Sequence, residues 1–166
     1  GWLFIDKPKD ITSFKVVQRV KKVLNVKKIG HAGTLDPFAT GLLIVGVGRS
    51  ATKQLDTFKD LPKTYEARVD LGAVSDTQDS TGTITEQSDH LIPPLSDIQE
   101  TISSFVGTQA QIPPMHSAKK INGKKLYTLA RKGIEIERKP HSITIHSIKI
   151  NRYEFPQLHI TVECST

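Results

Sequence analysis

The sequence has very little cysteine and no long apolar segment. Its 166 residues include a single cysteine, Cys164, so an internal disulfide bond is excluded. No stretch is long and apolar enough to span a bilayer or to act as a secretory signal. Repeats and low-complexity tracts are also missing. These absences predict a cytoplasmic protein that works without a membrane partner.

The chain also lacks the residue spacing of a metal site. Zinc sites combine closely spaced histidine and cysteine ligands. The six histidines form no such set, either among themselves or with Cys164. They are His31, His90, His116, His141, His146 and His159. We therefore predict that the protein binds no metal.

Acidic residues are almost missing from one long segment. Between Ile11 and Leu55 the only carboxylate is Asp36, against eight Lys and Arg residues. The whole chain has a formal net charge of +6, which favours a polyanionic partner, although many equally basic proteins bind none. A lone carboxylate weakens the binding of a phosphodiester backbone unless it does chemistry on the bound polyanion. Asp36 therefore needs an explanation.

The spacing of apolar residues predicts the first helix. Thr12 or Ser13 can cap it, and the basic residues Lys15, Arg19 and Lys22 are expected on its outer side. Its apolar face is predicted to carry Phe14, Val17, Val20 and Leu24.

The remaining elements follow from alternation, helical spacing and turn residues. Strands are predicted at residues 2–6, 42–47, 64–71, 108–112, 143–150 and 158–164. The alternation of the fifth strand shifts by one residue at His146-Ser147, which predicts a β-bulge. Residues 75–85 are predicted to be a polar loop or hairpin tip. Helices are predicted at 50–58, at 96–106 with a capping box of Ser96 and Gln99, and at 124–132 closing on Gly133. Strands outnumber helices without alternating with them. This order predicts an α+β fold with a mixed, largely antiparallel central sheet flanked by helices.

Asp36 lies in a glycine-rich segment that is predicted to be a loop. Pro37 stiffens the backbone beside the acid, and Gly33 and Gly41 permit tight turns on either side. Two interpretations stay open. Either Asp36 caps a turn, as aspartate before proline often does, or it is a nucleophile that the neighbouring cations hold ionised.

Other residues also have a structural and a functional interpretation. His31 forms an acid/base pair or a metal-ligand pair with Asp36, or it hydrogen-bonds the loop backbone. Tyr65, just after Lys63-Thr64, stacks on a base or packs in the core. Residues 111–131 mix basic and aromatic side chains, which suits RNA phosphates or a solvated helix face.

The sequence matches the glycine pattern of dinucleotide-binding proteins but lacks the strand arrangement that this pattern requires. Residues 46–51 match the pattern G-x-G-x-x-A after a strand, and Asp70 follows at a tolerable distance. A true fingerprint requires a second parallel strand that ends at the acid. Here residues 59–63 form a polar break, and Asp70 lies inside the next predicted strand. We therefore predict no nucleotide cofactor.

Five segments form a series that runs in order along essentially the whole chain. They are Asp6-Lys7-Pro8 with Thr12-Ser13, residues 33–41 around Asp36, Lys63-Thr64-Tyr65, residues 71–82 and residues 111–131. Together they resemble the TruB family of tRNA pseudouridine-55 synthases, relatives of dyskerin. The segment around Asp36 is the most specific of the five.

The resemblance implies a pseudouridine synthase fold with an RNA-binding cleft at its sheet. It implies that the T arm of tRNA is the substrate and that the base of uridine 55 is detached from C1′, rotated and rejoined through C5, without metal or cofactor. Because that base is hidden in a stacked loop, the enzyme must flip it out. Asp36 matches the catalytic aspartate, a nucleophile at the sugar or the ring, and Tyr65 matches the tyrosine that stacks on the base and takes part in proton removal.

The resemblance also implies a set of RNA-binding residues. His31 matches a histidine that contacts the RNA around the flipped uridine. The other residues of this set are Gly33, Thr34, Lys63, Lys119, Lys120 and Arg131.

The chain departs from the family pattern at two places. Lys9-Asp10 replaces the glycine that usually follows the Lys-Pro turn, which is expected to alter only a turn. Residues 164–166 match the start of a family segment that continues with a glycine, a substrate-contacting tyrosine and an arginine that pairs with the catalytic aspartate. The resemblance therefore implies a catalytic domain over residues 1–166 that is incomplete at its C-terminus and lacks the C-terminal RNA-binding extension.

We expect this chain alone to be a monomer that binds tRNA weakly and turns over poorly or not at all. Comparable turnover by this chain and by a version extended by a few tens of residues would contradict that expectation. The alternative function, from a different class, is a catalytically idle RNA-binding or RNA-chaperone domain that keeps the fold and the basic cleft.

Overall fold

A computed structural model describes residues 1–87, 91–112, 120–121, 124–125 and 137–166. The chain divides into two compact units, Gly1–Leu61 (unit 1) and Pro62–Thr166 (unit 2), and each is described by itself. Helices accompany antiparallel strands in both units, which confirms the predicted α+β class. The described strands form several sheets, so the antiparallel pairing is not that of one continuous sheet.

Unit 1 is a three-stranded antiparallel sheet with helices. Its strands are β1 (Trp2–Lys7), β2 (Ile29–His31) and β3 (Gly41–Val47), and its helices are α1 (Ser13–Val23), α2 (Arg49–Lys53) and a short 3₁₀ helix (Leu55–Phe58). β3 lies in the middle, paired with both other strands. The core is formed by Ile11, Val16 and Val17 with Leu43 and Val45. Sequence analysis did not predict β2, and its predicted helix over 50–58 is divided at Gln54.

Helix α1 begins as predicted but buries a different face. Thr12 caps it, because its Oγ1 accepts a hydrogen bond of 3.1 Å from the backbone N–H of Lys15. The prediction that Phe14 and Leu24 are core residues was wrong, since they are 64% and 47% exposed. The inward face instead runs through Ser13, Val16, Val17 and Val20 at the same helical spacing. Because this face begins with the polar residue Ser13, the apolar pattern of the sequence did not predict it.

Two glycines allow helices to pack closely on the other face of this sheet. Gly30 and Gly46 are direct partners across β2 and β3. A Cβ on Gly46 would lie 3.1 Å from the Trp2 ring and 3.3 Å from a backbone carbon of Ala51. Gly48 has φ +86°, which favours glycine at the turn from β3 into α2. The glycines of the false dinucleotide fingerprint therefore have structural roles.

We expect Gly46→Ala to destabilise unit 1 by about 1–3 kcal/mol, because the added methyl group must displace backbone as well as side chains. Gly33→Ala is the matched control, since a Cβ there meets nothing within 4 Å. Urea unfolding followed by the fluorescence of Trp2, the single tryptophan, measures both variants. Equal midpoints for the two variants would contradict the prediction.

Unit 2 is built on a four-stranded antiparallel sheet. Its elements along the chain are β4 (Lys63–Asp70), β5 (Ala73–Ser75), β6 (Ile84–Glu86), α3 (Leu95–Ser104), β7 (Gly107–Gln111), β8 (Lys120–Ile121), β9 (Lys124–Lys125), β10 (His141–Glu154) and β11 (Gln157–Cys164). The sheet order is β4-β11-β10-β7, and β5-β6 and β8-β9 form separate two-stranded sheets. The β5-β6 hairpin confirms the predicted hairpin tip.

The predicted bulge in β10 is confirmed. Ile145 pairs with Cys164 and Ser147 with Glu163, so His146 is the extra residue. A second irregularity, between Ile150 and Arg152, was not predicted.

Helix α3 confirms the helix predicted over 96–106, but the predicted capping box was wrong, because the N-cap is Pro94 and no side chain caps the helix. It begins one residue earlier than predicted, so Ser96 lies inside the first turn and its hydroxyl donates to the Asp97 carboxylate at 3.0 Å. The helix predicted over 124–132 begins instead with strand β9, and its residues 126–132 lie outside the described residues. No helix in the described part of the chain is long and apolar enough to cross a membrane.

Candidate functional site

Asp36 lies on an exposed loop between β2 and β3, as predicted. The loop covers residues 32–40, and the Asp36 side chain is exposed. Its backbone carbonyl accepts a hydrogen bond of 3.1 Å from Ala39 N–H, which closes a short turn. The chain bends at Ala32 and Gly33, where a tight turn was predicted to be permitted, although Gly33 does not have a left-handed φ. Gly41, the first residue of β3, has φ +113°, a conformation that favours glycine.

A buried serine holds the residue before Asp36. The hydroxyl of Ser13 accepts from the backbone N–H of Leu35 at 3.0 Å and donates to the carbonyl of Leu35 at 3.1 Å. Ser13 is 2% exposed and is the first residue of α1. The start of this helix is therefore fastened to the loop.

A buried lysine holds the residue after Asp36. Lys7 is fully buried, and its ammonium group donates to the carbonyls of Ile11 at 2.8 Å, Pro8 at 3.0 Å and Pro37 at 3.2 Å. All three of its N–H groups therefore have an acceptor. The carbonyl of Pro37 also accepts from the backbone N–H of Asp10 at 2.7 Å.

Asp10 lies in the turn between β1 and α1. Its φ is +62°, a left-handed conformation that aspartate tolerates better than most residues. The expectation that Lys9-Asp10 only alters a turn is consistent with this geometry. The turn also contributes the N–H that binds Pro37.

The segment of the sequence that contains the loop is basic. The eight cationic residues between positions 12 and 54 are all exposed, so their charges face solvent. They are Lys15, Arg19, Lys21, Lys22, Lys27, Lys28, Arg49 and Lys53. An exposed basic surface attracts polyanions through long-range electrostatics and counterion release.

The other predicted residues of unit 1 lie close to Asp36 in the chain. His31 ends β2 and is half-buried. Its Nδ1 contacts the carbonyl of Gly33. Thr34 is exposed. The structure therefore places Gly33, Thr34 and Asp36 on one loop, and His31 at the end of the strand that leads into it, with its ring against the loop backbone.

Tyr65 and Lys63 lie on strand β4 of unit 2. They pair across the sheet with Val162 and Cys164 of β11. Tyr65 is 40% exposed, so its ring is neither fully packed nor free of the protein. Burial of the ring, and to a smaller degree the charge that Cys164 acquires on ionisation, raise the pKa of the Tyr65 hydroxyl above its usual 10.0. Tyr65 is therefore a neutral phenol near pH 7.

The raised pKa of Tyr65 gives a direct prediction for alkaline titration. Folding favours the protonated phenol, so this stabilisation is present below pH 10.0 and is lost as the pH rises through the pKa of Tyr65 in the folded protein. Tyrosinate absorbance of the parent minus that of Tyr65→Phe should therefore show a single transition above pH 10.0. A difference curve with its midpoint at or below that value would contradict the assignment.

The remaining predicted RNA-binding residues are only partly described. Lys120 is in β8, which pairs with β9, but its side chain is outside what the structure describes. Lys119 and Arg131 lie outside the described residues. Among the residues that are described, no three His, Cys, Asp or Glu side chains form a group that could hold a metal ion.

The geometry indicates two side chains that sequence reasoning did not assign to the site, Lys7 and Ser13. Both were part of the motifs quoted above, but only as residues of a turn and a possible helix cap. Their signal in the sequence is weak. Lys7 ends an apolar strand, and Ser13 begins an apolar helical face, so each is a polar residue at a position where an apolar one is expected.

Comparison with known proteins gives consistent matches. The sequence profile of the TruB family pseudouridylate synthase N-terminal domain matches residues 21–166. The chain is 50% identical over 165 residues to the tRNA pseudouridine synthase B of Protochlamydia amoebophila, covering 99% of this chain and 62% of that protein. It is 47% identical to that of Chlamydia abortus, with coverage of 99% and 69%. The chain therefore spans about two thirds of the length of these relatives.

Solved structures have the same fold. A chain of a Cbf5-Nop10-Gar1 complex superposes on 100% of this chain with a TM-score of 0.72 and 25% identity, and 40% of that chain is covered. A chain of an H/ACA RNP bound to a substrate RNA containing 2′-deoxyuridine superposes on 99% of this chain with a TM-score of 0.66, 23% identity and 37% coverage of that chain. From the profile match and the curated relatives, this chain belongs to the TruB family of pseudouridylate synthases.

Proposed function

We propose that residues 1–166 form a catalytic domain that isomerises uridine to pseudouridine at position 55, in the T arm of tRNA. The observation that carries the proposal is the presentation of Asp36. It is an exposed carboxylate on a loop whose neighbouring residues are held by buried Ser13 and Lys7. Family membership and the activity for which the relatives are named, tRNA pseudouridine synthase B, support the choice of reaction and substrate.

The reaction is a balanced isomerisation. The bond between N1 of the base and C1′ of the ribose breaks, the base rotates, and a bond forms between C5 and C1′. The proton lost from C5 replaces the substituent that N1 has lost, so composition does not change. Neither a redox partner nor a metal is required. The proposed role of Asp36 is that of the nucleophile, either at C1′ or at the pyrimidine ring.

A nucleophile for this reaction must be fixed before the substrate arrives. The uridine is stacked inside the T loop, so the protein must extrude it and bind the base in the space beside Asp36. A mobile carboxylate would have to be ordered at each turnover, and this would raise the barrier. The bonds to Leu35 and Pro37 order the backbone on both sides of Asp36 in advance.

We assign Tyr65 a stacking role as its first function. A half-exposed aromatic ring on a strand can bind the face of a flipped base. Its raised pKa means that it is protonated near pH 7, so it removes the C5 proton only if its own proton leaves at the same time. We propose RNA contacts for His31, Gly33, Thr34, Lys63, Lys119, Lys120 and Arg131.

The basic surface of α1 supports an RNA partner. Lys15, Arg19, Lys21 and Lys22 of this helix are exposed, and the segment from Thr12 to Leu35 contains no acidic residue. A surface with this charge attracts a phosphodiester backbone, and the affinity should fall steeply with salt.

The test is to map pseudouridine in T-arm RNA. The RNA is incubated with this chain and with a version extended by a few tens of residues, then digested and analysed by mass spectrometry after labelling that distinguishes pseudouridine from uridine. We expect pseudouridine at one T-loop position with the extended protein and little or none with the chain alone. RNA binding by the extended protein without any pseudouridine would overturn the proposal in favour of an idle RNA-binding or RNA-chaperone domain.

A further inference from the structure

We propose that Ser13 is a positioning residue for Asp36: its buried hydroxyl fixes the peptide unit that carries the aspartate. The inference rests on the proposed function, in which Asp36 is the nucleophile. It adds a second requirement, that turnover depends on a side chain of helix α1 that does not touch the RNA.

The two bonds of Ser13 constrain more than the position of Leu35. The N–H of Leu35 lies 3.0 Å from Ser13 Oγ and the carbonyl oxygen of Leu35 lies 3.1 Å from it. That carbonyl belongs to the planar peptide unit that also contains the nitrogen and Cα of Asp36. Holding the N–H and the carbonyl of Leu35 together therefore fixes the orientation of the plane from which the Asp36 side chain extends.

The hydroxyl is itself held by a rigid element. Ser13 is 2% exposed and is the first residue of α1. One turn later, Val16 and Val17 pack in the core of unit 1. A positioning group on a packed helix is more precise than one on a loop. Packing of α1 in the core of unit 1 therefore fixes the Ser13 hydroxyl, and the hydroxyl fixes Leu35 in the loop.

Stability alone is a poor explanation for a serine at this position. A buried hydroxyl loses its bonds to water and regains them only if protein partners are available, so the net gain from such bonds is modest. The same helical face continues with valines at positions 16, 17 and 20. The serine is the one member of this face whose polar atom reaches the loop beside Asp36.

The test compares Ser13→Ala with Thr12→Ala in the extended protein. Both variants remove a hydroxyl from the start of α1, but Thr12 is exposed and its Oγ1 accepts only from Lys15 N–H. A shift of the nucleophile by about 1 Å can cost on the order of 100-fold in rate. We expect Ser13→Ala to lower kcat by about this factor with KM within about two-fold, and Thr12→Ala to leave both constants unchanged.

Rescue separates the hydroxyl from packing. Ser13→Thr keeps the hydroxyl and should recover most of the lost kcat. If Ser13→Ala does not fold by Trp2 fluorescence, Ser13→Cys replaces it, because a thiol fills the site but is a weak donor and acceptor. Equal kcat for the Ser13 and Thr12 variants, or a folded Ser13→Thr as slow as Ser13→Ala, would overturn the inference.

The parent protein and Asp36→Asn separate failure of the proposed function from failure of the role of Ser13. If the extended parent binds T-arm RNA without forming pseudouridine, the proposed function itself fails. If Asp36→Asn keeps the parent kcat, the reaction stands but Asp36 is not its nucleophile, and Ser13 has no nucleophile to position. If Asp36→Asn is inactive while Ser13→Ala behaves like Thr12→Ala, the function stands and only the role of Ser13 is refuted.

Discussion

Replacement of Asp36 by asparagine is expected to abolish pseudouridine formation and to leave RNA affinity unchanged or slightly higher. Asparagine has nearly the same shape, so the loop and its bonds to Ser13 and Lys7 remain. Its amide does not act as a carboxylate nucleophile, and loss of an essential group of this kind costs about 10⁴-fold or more in kcat. Removal of a negative charge beside bound phosphates cannot weaken their binding.

The measurement pairs single-turnover kinetics with a binding titration, both on T-arm RNA. Asp56→Asn is the matched control, because Asp56 is an exposed aspartate of unit 1 that pairs with Lys59 and lies outside the loop. We expect it to retain parent kinetics. If Asp36→Asn forms pseudouridine at a rate near that of Asp56→Asn, Asp36 is not the nucleophile.

The same pair of variants tests the alternative class of function. For an idle RNA-binding domain, neither substitution changes the outputs much, and the parent shows binding without product. For an enzyme, Asp36→Asn loses turnover but keeps RNA binding, and Asp56→Asn keeps both. The two classes of function are therefore distinguished by comparing the change in turnover of Asp36→Asn with its change in RNA affinity.

Replacement of Lys7 by methionine is expected to destabilise unit 1 by about 1–3 kcal/mol. Methionine fills nearly the same volume but donates no hydrogen bond. The carbonyls of Pro8 and Ile11 then lose the donors that Lys7 supplies, and Pro37 keeps only the N–H of Asp10. The bond to Ile11 is buried, so this carbonyl retains the cost of desolvation, whereas the carbonyls of Pro8 and Pro37 are only partly buried. We therefore expect a lower urea midpoint at an unchanged m-value.

Lys9→Met is the control for this effect. Lys9 lies two residues later in the same turn and is exposed, so the substitution removes the same charge without leaving buried acceptors. Trp2 fluorescence follows the unfolding of unit 1 directly, because Trp2 is in β1 and its ring packs edge-on against Phe58 at a centroid distance of 4.8 Å. Coincident unfolding curves for the two lysine variants would show that burial of Lys7 contributes nothing.

The strands were the most predictable part of the fold. β3, β4 and β11 follow from short apolar or alternating runs, and the bulge at His146 follows from a one-residue change of phase. Such patterns arise because successive side chains of a strand point to opposite faces. Strand β2 was missed since its three residues are too few to show any alternation.

The surroundings of Asp36 were harder to predict than Asp36 itself. The acid stands out in the sequence by charge and by its glycine-rich context. Ser13 and Lys7 interact with residues 22 and 30 positions away, and no local pattern encodes such pairs. Helical spacing also predicted the wrong buried face for α1. A hydrophobicity pattern assigns the polar Ser13 to solvent and the apolar Phe14 to the core, whereas Ser13 is buried and Phe14 is exposed.

The order of strands in unit 2 has a consequence for synthesis on the ribosome. Strand β4 begins at Lys63, yet its partner in the four-stranded sheet is β11, which ends at Cys164. About a hundred residues must therefore emerge before β4 acquires its neighbour, and loop closure over such a distance slows folding. Unit 1 needs only its first 61 residues. The nascent chain should thus assemble the Asp36 loop first and hold β4 unpaired, with an edge that chaperones must protect until translation passes Cys164.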